Sequence, residues 1–533
     1  MSSVPIEEEA SAAPTGRWNW LDERLDQAGE WLNPILVKEA RQAMKSRQFS
    51  ITFTLLLTFG LFWSFLGVSM QMPGIYYFPG GQQMLLGYFL ILLVPMLLVV
   101  PFAAYRSLAA EREDGTYELL SITALSARKI VSGKLGSVLL QMLVYYSAIG
   151  PCVAFTYLLR GIDVLSIAFV MVITLLLSLM LSLIGLFLAS VTRGRHWQLM
   201  ISVILILGCG IVAWAWGMLA GELMFDGGGL PVQEPEFWMA LACAATAYLS
   251  YFWILFVATE SLNDFPAENR STRIRIAILV QLALYFGWYW FGLTLFEQNS
   301  PSPPEGFLGV ALLFAAVHWM LYGSLMCGEF PRLSPRVARQ LPSTFLGRLC
   351  TCWFWPGPAT GYVFTVTTFA IFTLTMISIS LNFGMGDWTL AVWGALVWGY
   401  LATFLAIGRL IMIAARRFAP RGFVLPVLIN VLILLASVAV PLIFEAFSRD
   451  FRYSSEYSLL QVSNWLWTFQ EMMRAYRGPV NALISDVVAP LVLFCGGVSY
   501  LIMLGMARGA VTERRRALPQ RVQEDLGPAA QQR

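Results

Sequence analysis

The feature that most constrains this chain is the segregation of its charges: long apolar windows carry none, and the segments between them carry nearly all. A bilayer hydrocarbon core of about 30 Å is crossed by roughly 20 apolar helical residues. Lipid offers no partner to an unpaired backbone group, so such windows must satisfy their peptide bonds internally, as helices. Windows of this kind fall near 49–70, 84–104, 134–158, 165–191, 197–220, 237–259, 275–296, 307–327, 360–382, 388–408, 422–445 and 484–507. The expected fold class is an all-α, polytopic integral membrane protein of about twelve transmembrane helices. Composition agrees: 58% of residues are hydrophobic and 13% charged, against roughly 45–50% and 25% in ordinary globular domains.

Orientation follows from the basic residues. If residues before the first window lie in the cytoplasm, 30 of the 35 Lys and Arg fall on that side. The other side holds only Arg160, Arg449, Arg452, Arg474 and Arg477. This is the asymmetry of the positive-inside rule, and it places both termini in the cytoplasm of a cell whose plasma membrane the chain crosses. The first thirty residues are polar, with Glu7, Glu8 and Glu9, and no apolar stretch precedes Thr52. A cleaved signal peptide is therefore not expected. The seven cysteines are scattered and do not read as a disulfide framework.

Several function classes are disfavoured. The net charge of +3 is too small to imply nucleic acid as a partner. The interiors of the windows carry no Asp, Glu or Lys, whereas ion-coupled transporters place such groups at depth. His318 reads as a neutral histidine bonded to a neighbouring helix. Gln141, Gln198, Gln281 and Asn430 read as interhelical hydrogen-bonding residues. Two histidines, His196 and His318, with Cys350 and Cys352, do not assemble a metal site at any familiar spacing. No P-loop occurs: Gly133-Lys134 has Arg128 where the first glycine belongs and is followed by Leu135. No metal or cofactor is expected on this chain, and no catalytic residue.

Two segments beside the windows carry the strongest patterns. In the first, from Trp31 to Arg47, Asn33 suits an N-cap and Pro34 the first helical position. Leu36, Val37, Ala40, Ala43 and Met44 then share one face, with Lys38, Arg41 and Lys45 opposite. This predicts an interfacial amphipathic helix, apolar face toward the membrane. In the second, from Tyr105 to Lys134, Glu111, Arg112, Glu113 and Asp114 end the second span, and Gly115 supplies a left-handed break. Thr116 can cap a short new helix carrying Tyr117, Leu119 and Leu120, and Ser126 can cap the third span.

These residues resemble the permease subunits of ABC-2 type exporters, whose pattern runs E-R-E-x-G-T-x-E-x-L-L-x-T-P-L-S and then G-K. The match comprises Glu111, Arg112, Glu113, Gly115, Thr116, Glu118, Leu120, Thr123, Leu125, Ser126, Gly133 and Lys134, with Ala124 in place of proline. The stretch Asn33, Pro34, Ile35, Leu36, Lys38 and Glu39 is similar to the connecting helix of that family. The resemblance covers residues 31–260. It implies an exporter permease powered by a separate ATPase chain that holds ATP and Mg²⁺. Glu111, Arg112, Glu113, Gly115, Thr116, Glu118, Arg128 and Lys129 would then be coupling positions toward that ATPase. The competing readings are an ion-coupled secondary transporter and a membrane scaffold without a transport cycle. Charge-free helices suit hydrophobic cargo.

The implied organisation is a cytoplasmic segment over residues 1–47, a six-span unit over 48–260, a second six-span unit over 261–507 and a basic tail over 508–533. The second unit is either a degenerate repeat of the first, giving two six-helix bundles in one chain, or an extension; with an unrepeated unit, a second permease copy is expected. Before the last span, Leu459, Val462, Leu466, Phe469 and Met473 share a helical face, and Trp465 and Trp467 suit a headgroup belt. In intact cells, a membrane-impermeant thiol reagent should label cysteines placed in 221–236 and 446–483 but not in 105–134 or 328–359. Labelling at residue 340 from outside would overturn the orientation of the second half.

Overall fold

A computed structural model describes residues 33–115, 125–192, 194–225, 230–265, 267–299, 305–331, 333–383, 388–415, 424–448, 457–474, 481–513 and 515. The described residues form helices and turns without a strand, and twelve helices are long and apolar enough to cross a membrane. They match the twelve apolar windows one for one. The protein is an all-α, multi-pass membrane protein, and large apolar side chains such as Phe65, Trp214, Val317 and Leu501 cover its outer faces.

The chain divides into two compact units, the first comprising residues 1–189 and 195–231, the second 190–194 and 232–533. In the first, a short helix α1 (Pro34–Met44) leads to the spans α2 (Arg47–Gln71), α3 (Gly81–Glu113), α4 (Ala127–Leu158), α5 (Val164–Val191) and α6 (Arg195–Phe225). The second contains the spans α7 (Pro235–Asn263), α8 (Thr272–Asn299) and α9 (Glu305–Cys327), then two short helices, α10 (Pro335–Gln340) and α11 (Phe345–Thr351). The spans α12 (Pro358–Asn382), α13 (Trp388–Ala415) and α14 (Val424–Ser448) follow. After α14 come α15 (Trp465–Arg474) and the last span, α16 (Ala489–Thr512), entered through a π turn at Ile484–Val488. By contact, the sixth span therefore groups with the helices that follow it.

α3 shows how proline is accommodated where water is absent. Its 33 residues widen into a π turn over Val94–Val99, with the Val100 N–H donating to the Pro95 carbonyl. The donor five residues after Met96 is missing, because position 101 is proline. The orphaned Met96 carbonyl instead accepts from Ser178 Oγ of α5. Gly185 lets the two helices approach, since a Cβ there would stand 2.9 Å from the Pro101 carbonyl oxygen. Tyr105 Oη donates to the Gln198 carbonyl (2.7 Å) and Trp216 Nε1 to Thr174 Oγ1 (2.8 Å), tying α6 to α3 and α5.

In the second unit the small residues Gly399 and Gly496 set the crossing of α13 and α16, and a Cβ on Gly399 would lie 2.6 Å from the Val492 carbonyl oxygen. At the start of α8, Arg275 is fully buried. Its Nη2 donates to Glu329 Oε2 (2.8 Å), and that oxygen also accepts from the Gly357 N–H (2.6 Å). Ser271 Oγ donates to Glu329 Oε1 (2.7 Å), so one carboxylate, at the head of the segment carrying α10 and α11, joins the start of α8 to the start of α12.

Three sequence expectations are corrected here. The helix expected across Leu459–Met473 is broken: a 3-10 turn at Leu459–Gln461 precedes α15, because the Asn464 carboxamide accepts from the Trp467 N–H (3.1 Å) and restarts the helix. Its packed face is Gln461, Thr468, Phe469 and Met472, while Leu459, Leu466 and Met473 are exposed. His318 of α9 does not bond a neighbouring helix. Tyr251, Tyr285, Trp319 and Tyr322 surround it at ring distances of 4.7–5.9 Å, and its buried Nε2 has no hydrogen-bond partner among the described residues. Of Gln141, Gln198, Gln281 and Asn430, only Gln281 bonds across helices through its side chain among the described residues, to Ser250 Oγ at 3.5 Å. Asn430 bonds the Pro426 carbonyl of its own helix (2.9 Å), and Gln198 meets Tyr105 through its backbone.

Ser178→Ala should destabilise the protein by about 1 kcal/mol, the scale of a lost interhelical hydrogen bond. Adding Pro101→Ala restores an N–H and should recover part of that loss. Thermal midpoints of the purified single and double variants measure the coupling, and strict additivity would refute the account.

Candidate functional site

The described residue types do not gather into a metal cluster; the densest polar chemistry in the first unit is a junction where three chain segments meet. Asn33 caps α1 as expected, accepting from the Ile35 N–H at 3.1 Å, with Pro34 in the first turn. Its amide Nδ2 also donates to the Lys129 carbonyl, joining α1 to α4 across 96 residues of sequence. The junction can be this tight because α4 presents glycines. A Cβ on Gly133 would lie 2.9 Å from Ile35, and one on Gly136 only 2.3 Å from Leu36.

Next to Gly133, Lys134 enters the interior with 2% of its side chain exposed. Its Nζ lies 3.1 Å from Glu39 Oε1 and 3.0 Å from Glu111 Oε2. Lys38, at the surface, reaches Glu111 at 3.4 Å and Glu39 at 3.7 Å. Two lysines and two carboxylates, contributed by α1, the end of α3 and the start of α4, thus form one compensated cluster. Desolvating an ammonium costs several kcal/mol, which only such pairing offsets.

The buried face of α1 is Ile35, Glu39 and Ala40, docked on α4, while Val37 and Met44 of the expected membrane face lie on its outer side. The helix is nonetheless separate from the first span, because Lys45 and Ser46 interrupt it and Ser46 Oγ caps α2 by accepting from the Phe49 N–H (3.1 Å).

The remaining coupling candidates surround the cluster. Glu111 is turned inward, so its charge is spent within the chain. Arg112 is half-buried, and Glu113 pairs with Arg195 at 3.6 Å in an exposed contact of small energetic value. Gly115 ends α3 with φ +69°, the left-handed break expected of it. Thr116 and Glu118 lie outside the described residues. Ser126 caps α4, accepting from the Lys129 N–H at 3.4 Å, and Arg128 and Lys129 are exposed beside it. In the second unit, Cys350 is exposed and Cys352 buried, and burial pushes the Cys352 thiol up.

Lys134 and Glu39 belong to sequence patterns that do not show that they meet. The signal is a lysine two turns inside a helix, beyond the basic first turn and at the start of its apolar stretch, which must find a carboxylate. Glu445, at the end of a window, follows the same logic, whereas Asp486 near the start of another is exposed. Glu445, 6% exposed, receives Gln461 Nε2, and Asp486 accepts from Ser485 Oγ at 2.7 Å.

Fold and junction together define the class as a multi-pass, all-α membrane protein with a buried ion cluster pinning a short flanking helix to its second and third spans. No family model matches the sequence, and no curated protein or solved structure matches it.

Lys134→Met should destabilise the protein by roughly 3–5 kcal/mol, because Glu39 and Glu111 are left without the buried cation. Glu39→Gln with Glu111→Gln in the same background should recover much of it. Thermal unfolding in detergent measures both; equal midpoints for wild type and Lys134→Met would show that the cluster contributes nothing.

Proposed function

We propose that this chain is the membrane-spanning permease of an ATP-driven exporter of the ABC-2 type, working with a separate ATPase chain. The observation that carries the reading is the junction of α1, α3 and α4. Three patterns that resemble that family are spread over about a hundred residues of sequence: Asn33 to Glu39, Glu111 to Gly115, and Gly133-Lys134. They come together in space through Lys134, Glu39 and Glu111. A segment leaving such a junction at Gly115 and returning at Ser126 is anchored at both ends, so a push on it reaches α1, α3 and α4 together. Coupling to the ATPase is then the role of Glu113, Gly115, Thr116, Glu118, Arg128 and Lys129, while Glu39, Glu111 and Lys134 form the rigid base. The plasma membrane is the site, the basic loops face the cytoplasm, and the ATPase binds on that face.

The test pairs the chain with its ATPase. Gly115→Pro replaces a φ of +69° by one near −65° and removes the break. Glu113→Lys with Glu118→Lys reverses charge, and among the described residues it disturbs the exposed pair of Glu113 with Arg195. Both variants should insert and purify normally, yet lose most of the stimulation of ATP hydrolysis by permease. Wild-type association and stimulation in both would refute the coupling role.

A further inference from the structure

The first unit encloses a cavity of about 680 Å³ beside the ion cluster, between α1, the start of α2, the second half of α3 and α4. That volume lies within the roughly 300–1,000 Å³ of small-ligand sites. Its lining is graded along α3. At the rim, Arg106 and Asp114 are exposed and form no ion pair among the described residues, whereas Lys38, Glu39 and Glu111 are already engaged with one another and with Lys134. The floor is apolar, made by Phe49, Val99, Val138 and the ring of Tyr145. Between rim and floor sits Gln141, whose side chain is buried (8% exposed) and makes no hydrogen bond among the described residues.

The Gln141 amide opens onto the cavity with its hydrogen-bonding capacity unused by the described residues, and a ligand seated there can supply the partner. The gradient from an unpaired cation and anion, through an amide donor, to an apolar floor is that of a phospholipid: charged headgroup, ester carbonyl, acyl chain. Arg106 and Asp114 stand eight residues apart, about 12 Å along the helix axis, and present opposite signs to one headgroup. We propose that the cavity binds one zwitterionic phospholipid. Its phosphate lies at Arg106 and its ammonium toward Asp114. The Gln141 amide donates to the ester carbonyl, and the chain lies on Val99, Val138 and Tyr145. The site is a property of this chain alone and stands apart from any coupling to an ATPase.

The test is direct binding of a fluorescent lysophosphatidylethanolamine to the purified, delipidated full chain in detergent. An ether-linked analogue, a maltoside of equal chain length and inorganic phosphate serve as comparisons. Wild type should bind the ester lipid saturably at one per chain and prefer it at least fivefold over both the ether analogue and the maltoside. Arg106→Gln should weaken the lipid at least fivefold and leave the maltoside unchanged. Gln141→Leu should abolish the ester-over-ether preference. Ala103→Trp, which fills the cavity from α3, should weaken binding at least tenfold. Should that variant fail to give a monodisperse protein, the ester–ether comparison in Gln141→Leu decides alone. Equal affinity for lipid and maltoside, an ester preference that survives Gln141→Leu, or unchanged binding in monodisperse Ala103→Trp would overturn the proposal. Competition by inorganic phosphate as strong as that by the lipid would mark a free-phosphate site instead, and would overturn it equally.

Discussion

A peptide group inside a bilayer has no water to bond, and this condition shapes the molecule at every scale. It makes each spanning segment a helix, and it demands a substitute wherever the helical ladder is interrupted. At Pro101 the substitute comes from another helix, through Ser178 Oγ on the Met96 carbonyl. At helix ends it comes from local side chains: Asn33 for α1, Ser46 for α2 and Ser126 for α4. Asn464 meets the same demand between α14 and α15, and in doing so divides what would otherwise be one amphipathic helix.

The same absence of water governs charge. Lys134 and Arg275 are both buried at the ends of spans, and each has recruited carboxylates from segments remote in sequence. Lys134 gathers one flanking helix and the end of a preceding span; Arg275 gathers the segment that follows α9. Buried pairs of this kind add little net stability over a well-packed apolar contact, but they discriminate strongly against misplacement, since a register error strands an ion in a medium of low polarity. In each unit the ion pair therefore acts on the element with the least apolar area to hold it in place. α1 has eleven residues, and α10 and α11 have six and seven.

The spans were legible because they depend on one additive quantity, apolar area per window, which neighbours in sequence determine by themselves. Caps were legible for the same reason: Asn33, Ser126 and Gly115 act on the backbone within three residues of themselves. What could not be read was set by partners distant in sequence. The meeting of Glu39, Glu111 and Lys134 requires α1 to pack on α4, and the packing face of α1 follows from Gly133 and Gly136, about a hundred residues downstream. His318 gave a correct residue type at a correct depth, but whether rings or acceptors surround it depends on α7 and α8. Gln141, expected to bridge helices, instead faces a cavity that no local pattern announces.

Glu329 holds Arg275 with the same oxygen that accepts from the Gly357 N–H, so residues 329 and 357 are brought together by side-chain and backbone chemistry. The stretch between them is a closed loop, held further by Ser334 on the Ala267 carbonyl and by Thr272 on the Phe354 carbonyl. Doubling the length of such a loop adds only about 0.6 kcal/mol of closure entropy. Its outermost residues, Ser343 to Leu346, are exposed. A small reporter domain spliced before Thr344, which caps α11, would thus hang from the clasp and leave that cap in place, giving the molecule a natural handle on the same face as the end of α9 and the start of α12.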